Sequence, residues 1–167
     1  MQIGMWLRSL VFIFLTSFLT ACIAPPKLPP SEQPQWSGRL SIKVERDPVQ
    51  QTSAGFTLVG DARAGQLNLF TPLGSKAAEV VWGKDFATIS DGKMGRNFPD
   101  LATALYQVTG ADITVSNLFD WLQGKQDRAR EAQLGWEADL TRLAEGRLVA
   151  IRLQPLPRIE LRVVLEQ

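Results

Sequence analysis

The sequence contains no histidine and only one cysteine, Cys22. The absence of histidine excludes Ser-His and Cys-His catalysis and the usual imidazole zinc sites. A single cysteine also excludes a disulfide within the chain. No pair of Asp or Glu residues stands out from ordinary surface charge. We therefore expect neither an enzyme nor a metal-binding protein.

A strong excess of charge of either sign is also absent. The chain has 18 basic and 17 acidic residues, and removal of residues 1–21, which contain only Arg8 as a charge, would leave 17 of each. A neutral mature chain has no electrostatic basis for binding nucleic acid. Arg128, Arg130, Arg142 and Arg147 alternate with acidic residues and are interpreted as a solvated face.

The apolar run near the N-terminus, residues 9–19, is too short to span a bilayer, which requires ~20 residues. Its length after the basic Arg8 is typical of a secretory signal. It ends in Leu19-Thr20-Ala21-Cys22, which resembles the lipobox of bacterial lipoproteins, so we expect cleavage after residue 21 and a lipid on Cys22. A plain secretory signal with an incidental cysteine is the alternative. Ile23, in place of the aspartate that marks inner-membrane retention, predicts the periplasmic face of the outer membrane.

Residues 22–35 are rich in proline and contain few large apolar side chains. Proline-rich segments favour extended, semi-rigid geometry. We therefore interpret the chain as a signal peptide (1–21), a lipidated cysteine with its tether (22–35) and one folded domain (36–167). The prolines of the tether are Pro25, Pro26, Pro29, Pro30 and Pro34.

Beyond the tether, apolar residues alternate with polar ones, which indicates strands with one buried face. Turn signals lie at Gly60 to Gly65 and at Asp91-Gly92. The pattern predicts a mainly β domain, a curved antiparallel sheet whose apolar face needs a cover. The alternating segments are residues 40–44, 54–58, 67–69, 78–82, 86–89, 134–140, 147–153 and 158–165.

Two short helices in the middle of the chain are expected to supply that cover. Apolar residues at i, i+3, i+4 and i+7 predict a helix over residues 100–108, with Pro99 in its first turn. A second helix is predicted from Ser116, a suitable N-cap, to Gly124. The periodicity leaves open whether the interior is a packed core or a cavity.

Two segments resemble the LolB family of outer-membrane lipoprotein receptors. One is GQLNLFTPLGS (65–75), a strand that runs into a Pro-Leu-Gly turn. The other combines Asp91-Gly92, Thr109-Gly110 and the helix end LFDWLQG (118–124). The resemblance covers roughly residues 36–165. The chain departs from the family at Leu58, where tryptophan is frequent, and leaves only residues 32–36 for the helix that usually precedes the first strand.

The resemblance implies an unclosed antiparallel half-barrel with a lid of short helices and an apolar cavity for acyl chains. It also implies a function without cofactor or nucleotide. A member of this family accepts lipoproteins from the soluble periplasmic carrier LolA and inserts them into the outer membrane. We expect the chain to act as a monomer, with acyl chains and outer-membrane lipid as its further partners.

The turn at Thr71 to Gly74 is the first candidate site. Pro72 suits position i+1 of a type I turn and Gly74 suits i+3, which puts Leu73 at the tip. The sequence alone favours a Leu73 side chain that folds back onto the sheet. The resemblance implies instead that Pro72, Leu73 and Gly74 form a membrane-insertion loop.

The inward-facing apolar residues are the second candidate site, either as ordinary core or as the wall of an acyl-chain cavity. A chain with a solid core would instead be a structural or assembly lipoprotein that binds protein partners through an edge strand. A periplasmic hydrolase is disfavoured by the lack of histidine. The predicted cavity residues are Leu67, Leu69, Val80, Trp82, Leu101, Leu105, Leu118 and Trp121.

Overall fold

The structure, a computed structural model, describes residues 33–109 and 113–166. The predicted signal peptide, Cys22 and most of the tether lie outside the described residues. Their assignment therefore stays a prediction.

Nine strands of the described residues form one antiparallel sheet in the order β6-β5-β4-β3-β2-β1-β9-β8-β7. The edge strands β6 and β7 do not pair with each other, so the sheet is an unclosed half-barrel, and the predicted fold class is confirmed. The strands are β1 (Gln35–Glu45), β2 (Gln50–Gly60), β3 (Gly65–Phe70), β4 (Lys76–Gly83), β5 (Phe86–Ser90), β6 (Gly95–Phe98), β7 (Trp136–Asp139), β8 (Arg147–Arg152) and β9 (Arg158–Leu165).

The alternation in the sequence becomes the two faces of this sheet. In β9, Ile159, Leu161 and Val163 are buried, whereas Arg162 and Val164 between and after them are exposed. The turn from Gly60 to Gly65 connects β2 with β3 as predicted. Successive side chains of a strand point to opposite faces, so the buried apolar residues of paired strands share one face of the sheet, which covers the core.

The cover of that face begins with α1 (Leu101–Thr109) and α2 (Val115–Leu122), followed by α3 (Arg128–Gln133) and a 3₁₀ turn (Leu143–Glu145). The predicted caps need correction. The carboxylate of Asp100 accepts the backbone N–H of Thr103 at 2.7 Å, so α1 begins after Asp100, and Pro99 lies outside it. The N-cap of α2 is Thr114, not Ser116.

Two elements have no counterpart in the sequence prediction. Helix α3 has the sequence RAREAQ, in which Glu131 alone is buried, so it lacks an apolar stripe. Strand β6, which completes the hairpin at Asp91-Gly92, has the sequence GRNF without alternation. No helix among the described residues is long and apolar enough to cross a membrane.

Candidate functional site

A cavity of about 90 Å³ lies between the concave face of the sheet and the segment that contains α1 and α2. Every side chain that lines it is apolar. Such a cavity offers no hydrogen bond to water and suits only an apolar ligand. The sheet contributes Leu40, Ile42, Phe56, Leu58, Leu67, Trp82, Leu161 and Val163, and the helical segment contributes Leu101, Leu105, Ile113, Val115, Leu118, Phe119 and Leu122.

Three of the predicted cavity residues are placed elsewhere. Val80 is buried in the core outside the cavity, and Leu69 packs against that core. Trp121 does not line the cavity, and its ring meets Trp136 at 5.6 Å while its Nε1 donates to Glu131 Oε1 at 2.7 Å. The predicted residues that do line the cavity are Leu67, Trp82, Leu101, Leu105 and Leu118.

The side of α2 that faces the cavity carries a signal that the sequence prediction missed. Val115, Leu118, Phe119 and Leu122 recur at i, i+3, i+4 and i+7, the spacing of one helix face. The sequence prediction began this helix at Ser116 and therefore left out Val115, the first of these four positions. The sequence prediction grouped Trp121 with these residues, but Trp121 contacts Trp136 and Glu131 and does not line the cavity.

An aromatic cluster forms one wall of the cavity. The ring of Phe119 meets Trp36 edge-on at 5.9 Å and Trp82 in a tilted arrangement at 6.2 Å. Aromatic pairs at these distances and angles are favourable beyond the area they bury. Leu58 is 4% exposed and also lines the cavity.

Trp82 is fixed by the turn between β2 and β3. Its Nε1 donates to the backbone carbonyl of Asp61 at 3.0 Å. The Asp61 carboxylate accepts the backbone N–H groups of Arg63 at 2.7 Å and Ala64 at 3.1 Å. These two N–H groups hold the pKa of Asp61 below its ordinary value of 3.8. The turn between β2 and β3 thus fixes the position of the Trp82 indole, which lines the cavity.

Leu73 lies at the tip of the β3–β4 turn and is 95% exposed. Gly74 N donates to Thr71 O, and Thr71 N donates to Ser75 O, each at 2.9 Å, so the turn is closed by its own backbone. Gly74 has a φ of +82°, a conformation that glycine adopts without strain. The side chain of Leu73 therefore does not fold back onto the sheet. Its insertion into a membrane stays a prediction.

The charged side chains of the described residues do not form a further candidate site. The four arginines interpreted as a solvated face are exposed, and Arg142 pairs with Glu145 at 2.6 Å. Among residues 33–109 and 113–166, no three acidic, cysteine or histidine side chains come close enough to hold a metal ion.

Comparison with known families agrees with this geometry. The family model described as "Outer membrane lipoprotein LolB" matches residues 32–154, well over half of the chain. This chain belongs to the LolB family. The resemblance stated from the two sequence segments is thereby confirmed, and so is the expected outer-membrane localisation.

Individual members of the family give the same result. An outer-membrane lipoprotein LolB of Bordetella petrii is 30% identical, over 92% of this chain and 89% of that protein. The LolB proteins of Ralstonia nicotianae and Cupriavidus necator are 28% and 31% identical, over 62% and 70% of this chain. The aligned parts cover 51% and 57% of those two proteins.

Proposed function

We propose that this outer-membrane lipoprotein is the receptor that accepts lipoproteins from the periplasmic carrier LolA and inserts them into the outer membrane. The observation that carries the proposal is the wholly apolar cavity between the sheet and the helices. Each methylene of an acyl chain buried there contributes ~0.8 kcal/mol. Such binding needs no covalent chemistry, cofactor or metal, and a single copy of the chain suffices.

Uptake of an acyl chain requires the cavity to widen. A dry cavity of ~150 Å³ holds a single benzene ring, whereas this one has about 90 Å³. Seven of its lining side chains belong to the helical segment 101–122. Movement of α1 and α2 away from the sheet would therefore enlarge the cavity without breaking a strand pair.

The remaining steps concern the membrane. Cleavage of residues 1–21 and acylation of Cys22 would anchor the domain, because several acyl chains together give a stable anchor. Transfer in one direction requires this cavity to bind acyl chains more tightly than the carrier does. Leu73, exposed at its turn tip, would enter the lipid and bring the loaded domain to the point of release.

The receptor step can be tested with the acylated full chain in vesicles and a carrier loaded with a fluorescently labelled lipoprotein. We expect the label to move from the carrier to this chain. Label that stays on the carrier, while the chain remains folded, would favour the alternative of a structural lipoprotein that binds protein partners.

Leu73→Glu should separate acceptance from delivery. We expect this variant to take the label from the carrier normally but to deliver it to the bilayer roughly tenfold more slowly, the factor for losing one buried leucine. Its free energy of unfolding should stay within ~0.5 kcal/mol of the wild type, because an exposed side chain makes few contacts. Ala62→Glu, in the exposed turn at the opposite end of the sheet, is the matched control. Normal delivery by Leu73→Glu would contradict the assigned role.

A further inference from the structure

Nine large apolar side chains are exposed among the described residues. The four most exposed ones are Leu73 (95%), Met94 (74%), Leu156 (73%) and Val49 (58%). Each lies in a hairpin turn of its own, namely β3–β4, β5–β6, β8–β9 and β1–β2. Three further exposed apolar side chains therefore lie in hairpin turns as Leu73 does, and the proposed function assigns them no role.

The topology places these four turns along one end of the sheet. All strands are antiparallel to their neighbours, so the turns after β1, β3, β5 and β8 emerge on the same side. Neighbouring strands are ~4.8 Å apart, so successive turns are spaced by roughly 10 Å. We call Val49, Leu73, Met94 and Leu156 the apolar rim.

The opposite end of the sheet has a different chemistry. Its turns comprise residues 61–64, 84–85 and 140–146, and none contains an exposed large apolar side chain. Their exposed residues include Arg63, Lys84, Asp85 and Arg142. Phe86 begins β5 at this end and is 48% exposed, but its ring lies over Gly83. The four most exposed apolar side chains thus all lie in turns at one end of the sheet.

Hydrogen bonds and prolines within the rim turns restrict the backbone that carries these exposed side chains. The Asp91 carboxylate accepts the backbone N–H groups of Lys93 and Met94, each at 2.9 Å, which fixes the turn that exposes Met94. Leu156 stands between Pro155 and Pro157, whose rings restrict the backbone. Together with the closed turn at Leu73, these turns present apolar side chains with little conformational freedom left to lose on binding.

We propose that the apolar rim as a whole, and not Leu73 alone, docks on the bilayer interface; this rests on the proposed membrane role of Leu73. A protein partner would need a contiguous apolar patch, whereas here single side chains are separated by polar turn residues. A lipid interface accepts each side chain separately. The membrane is also the surface beside which an outer-membrane lipoprotein is held.

Site-specific labelling of the acylated full chain tests this. Single cysteines at Val49, Leu73, Met94 and Leu156 would carry an environment-sensitive fluorophore, with Ala62→Cys and Lys84→Cys as controls at the opposite end. The protein is reconstituted in vesicles of phosphatidylethanolamine and phosphatidylglycerol that contain a nitroxide-labelled lipid. We expect quenching at all four rim positions and none at the two controls.

A second measurement tests whether the rim acts as a unit. In the chain labelled at position 94, Leu156→Glu should shift the docked-to-undocked ratio by roughly tenfold, the factor for removing one large apolar side chain from the interface. The quenching at position 94 should fall accordingly, although position 156 lies at the other end of the rim. Unchanged quenching would overturn joint docking.

The outcomes separate this proposal from the proposed function. Quenching at position 73 alone overturns the rim but leaves the role of Leu73 intact. Equal quenching at all six positions also overturns it, because the orientation would then be unspecific. Quenching along the rim with no transfer of label from the carrier supports rim docking and contradicts the receptor function.

Discussion

Glu131 is a buried carboxylate, 4% exposed, on the side of α2 that faces away from the cavity. Its Oε1 accepts the Trp121 indole N–H at 2.7 Å, and its Oε2 accepts a Gln126 side-chain N–H at 3.1 Å. A buried donor left without its acceptor is costly, so the pairing of Glu131 and Trp121 holds α2 to α3. This contact is structural and separate from the lipid site.

Glu131→Ala should lower the free energy of unfolding by ~1–3 kcal/mol, because the Trp121 indole N–H would lose its acceptor in the core. Denaturant unfolding measures the change. Glu131→Gln is the matched control, since its amide oxygen can still accept that N–H, and it should lose clearly less. Equal losses in the two variants would show that the hydrogen bond to Trp121 does not matter. Uptake of acyl chains should be unaffected in both, because Trp121 does not line the cavity.

At the scale of elements, β9 provides a matched pair of positions for testing the cavity. Val163 is 3% exposed and lines the cavity, whereas its neighbour Val164 is 50% exposed on the opposite face. Val163→Phe should occupy the cavity and reduce the uptake of an apolar fluorescent probe. Overpacking would cost ~1–3 kcal/mol, offset in part by the void that the ring fills.

Val164→Phe changes the same strand by the same residue type but on the solvent side. It should leave probe uptake unchanged and stability within ~0.5 kcal/mol. Probe uptake is measured on both folded variants side by side. Equal uptake by the two would mean that the probe binds somewhere other than this cavity.

The β5–β6 turn has a predictable response to acid. The backbone N–H groups of Met94 and Lys93 hold the pKa of Asp91 below its ordinary value of 3.8. The ionised carboxylate therefore stabilises the turn at any pH above 3.8, and this contribution is lost as the pH falls through the lowered pKa. An NMR titration should show the Met94 amide shifting with a midpoint below pH 3.8. Asp91→Ala should abolish that shift, and a midpoint at or above 3.8 would contradict the assigned hydrogen bonds.

At the scale of the whole molecule, the start of β1 and the apolar rim lie at opposite ends of the sheet. This strand begins at Gln35, opposite Val59 near the β2–β3 turn, and ends beside the β1–β2 turn of the rim. Strand β1 spans roughly 35 Å. If Cys22 is acylated, the segment from Cys22 to Gln35 reaches at most roughly 45 Å when fully extended. The tether is then just long enough for the rim to face the membrane.

Deletion of residues 24–32 should therefore impair delivery. The remaining segment would reach roughly 15 Å, less than the length of β1. Acceptance of label from the carrier should persist, because the cavity is untouched, while transfer into the bilayer should fall. A Gly/Ser segment of the same length as the deleted one is the control and should restore delivery. Full delivery by the shortened chain would contradict an orientation with the rim toward the membrane.

Some features could be predicted from the sequence because they depend on residues that lie close together in the chain. Alternation in β9 fixed which of its side chains are buried, and the Thr71 to Gly74 turn placed Leu73 at a tip. The same local patterns failed where a short element lacks an apolar stripe, as in α3. They also failed at the start of α2, where Ser116 was predicted as the N-cap in place of Thr114, and at Trp121, which does not line the cavity.

By itself, then, the sequence determined the family, the mainly β class and the buried face of strands such as β9, because backbone periodicity and turn chemistry are local. Only the tertiary structure decided that the interior contains a small apolar cavity and that Val80 and Trp121 lie outside it. It also decided that Val49, Leu73, Met94 and Leu156 share one rim. A void between a sheet and its helices, and a row of turn tips, arise from distances between segments far apart in the chain, which no local pattern encodes.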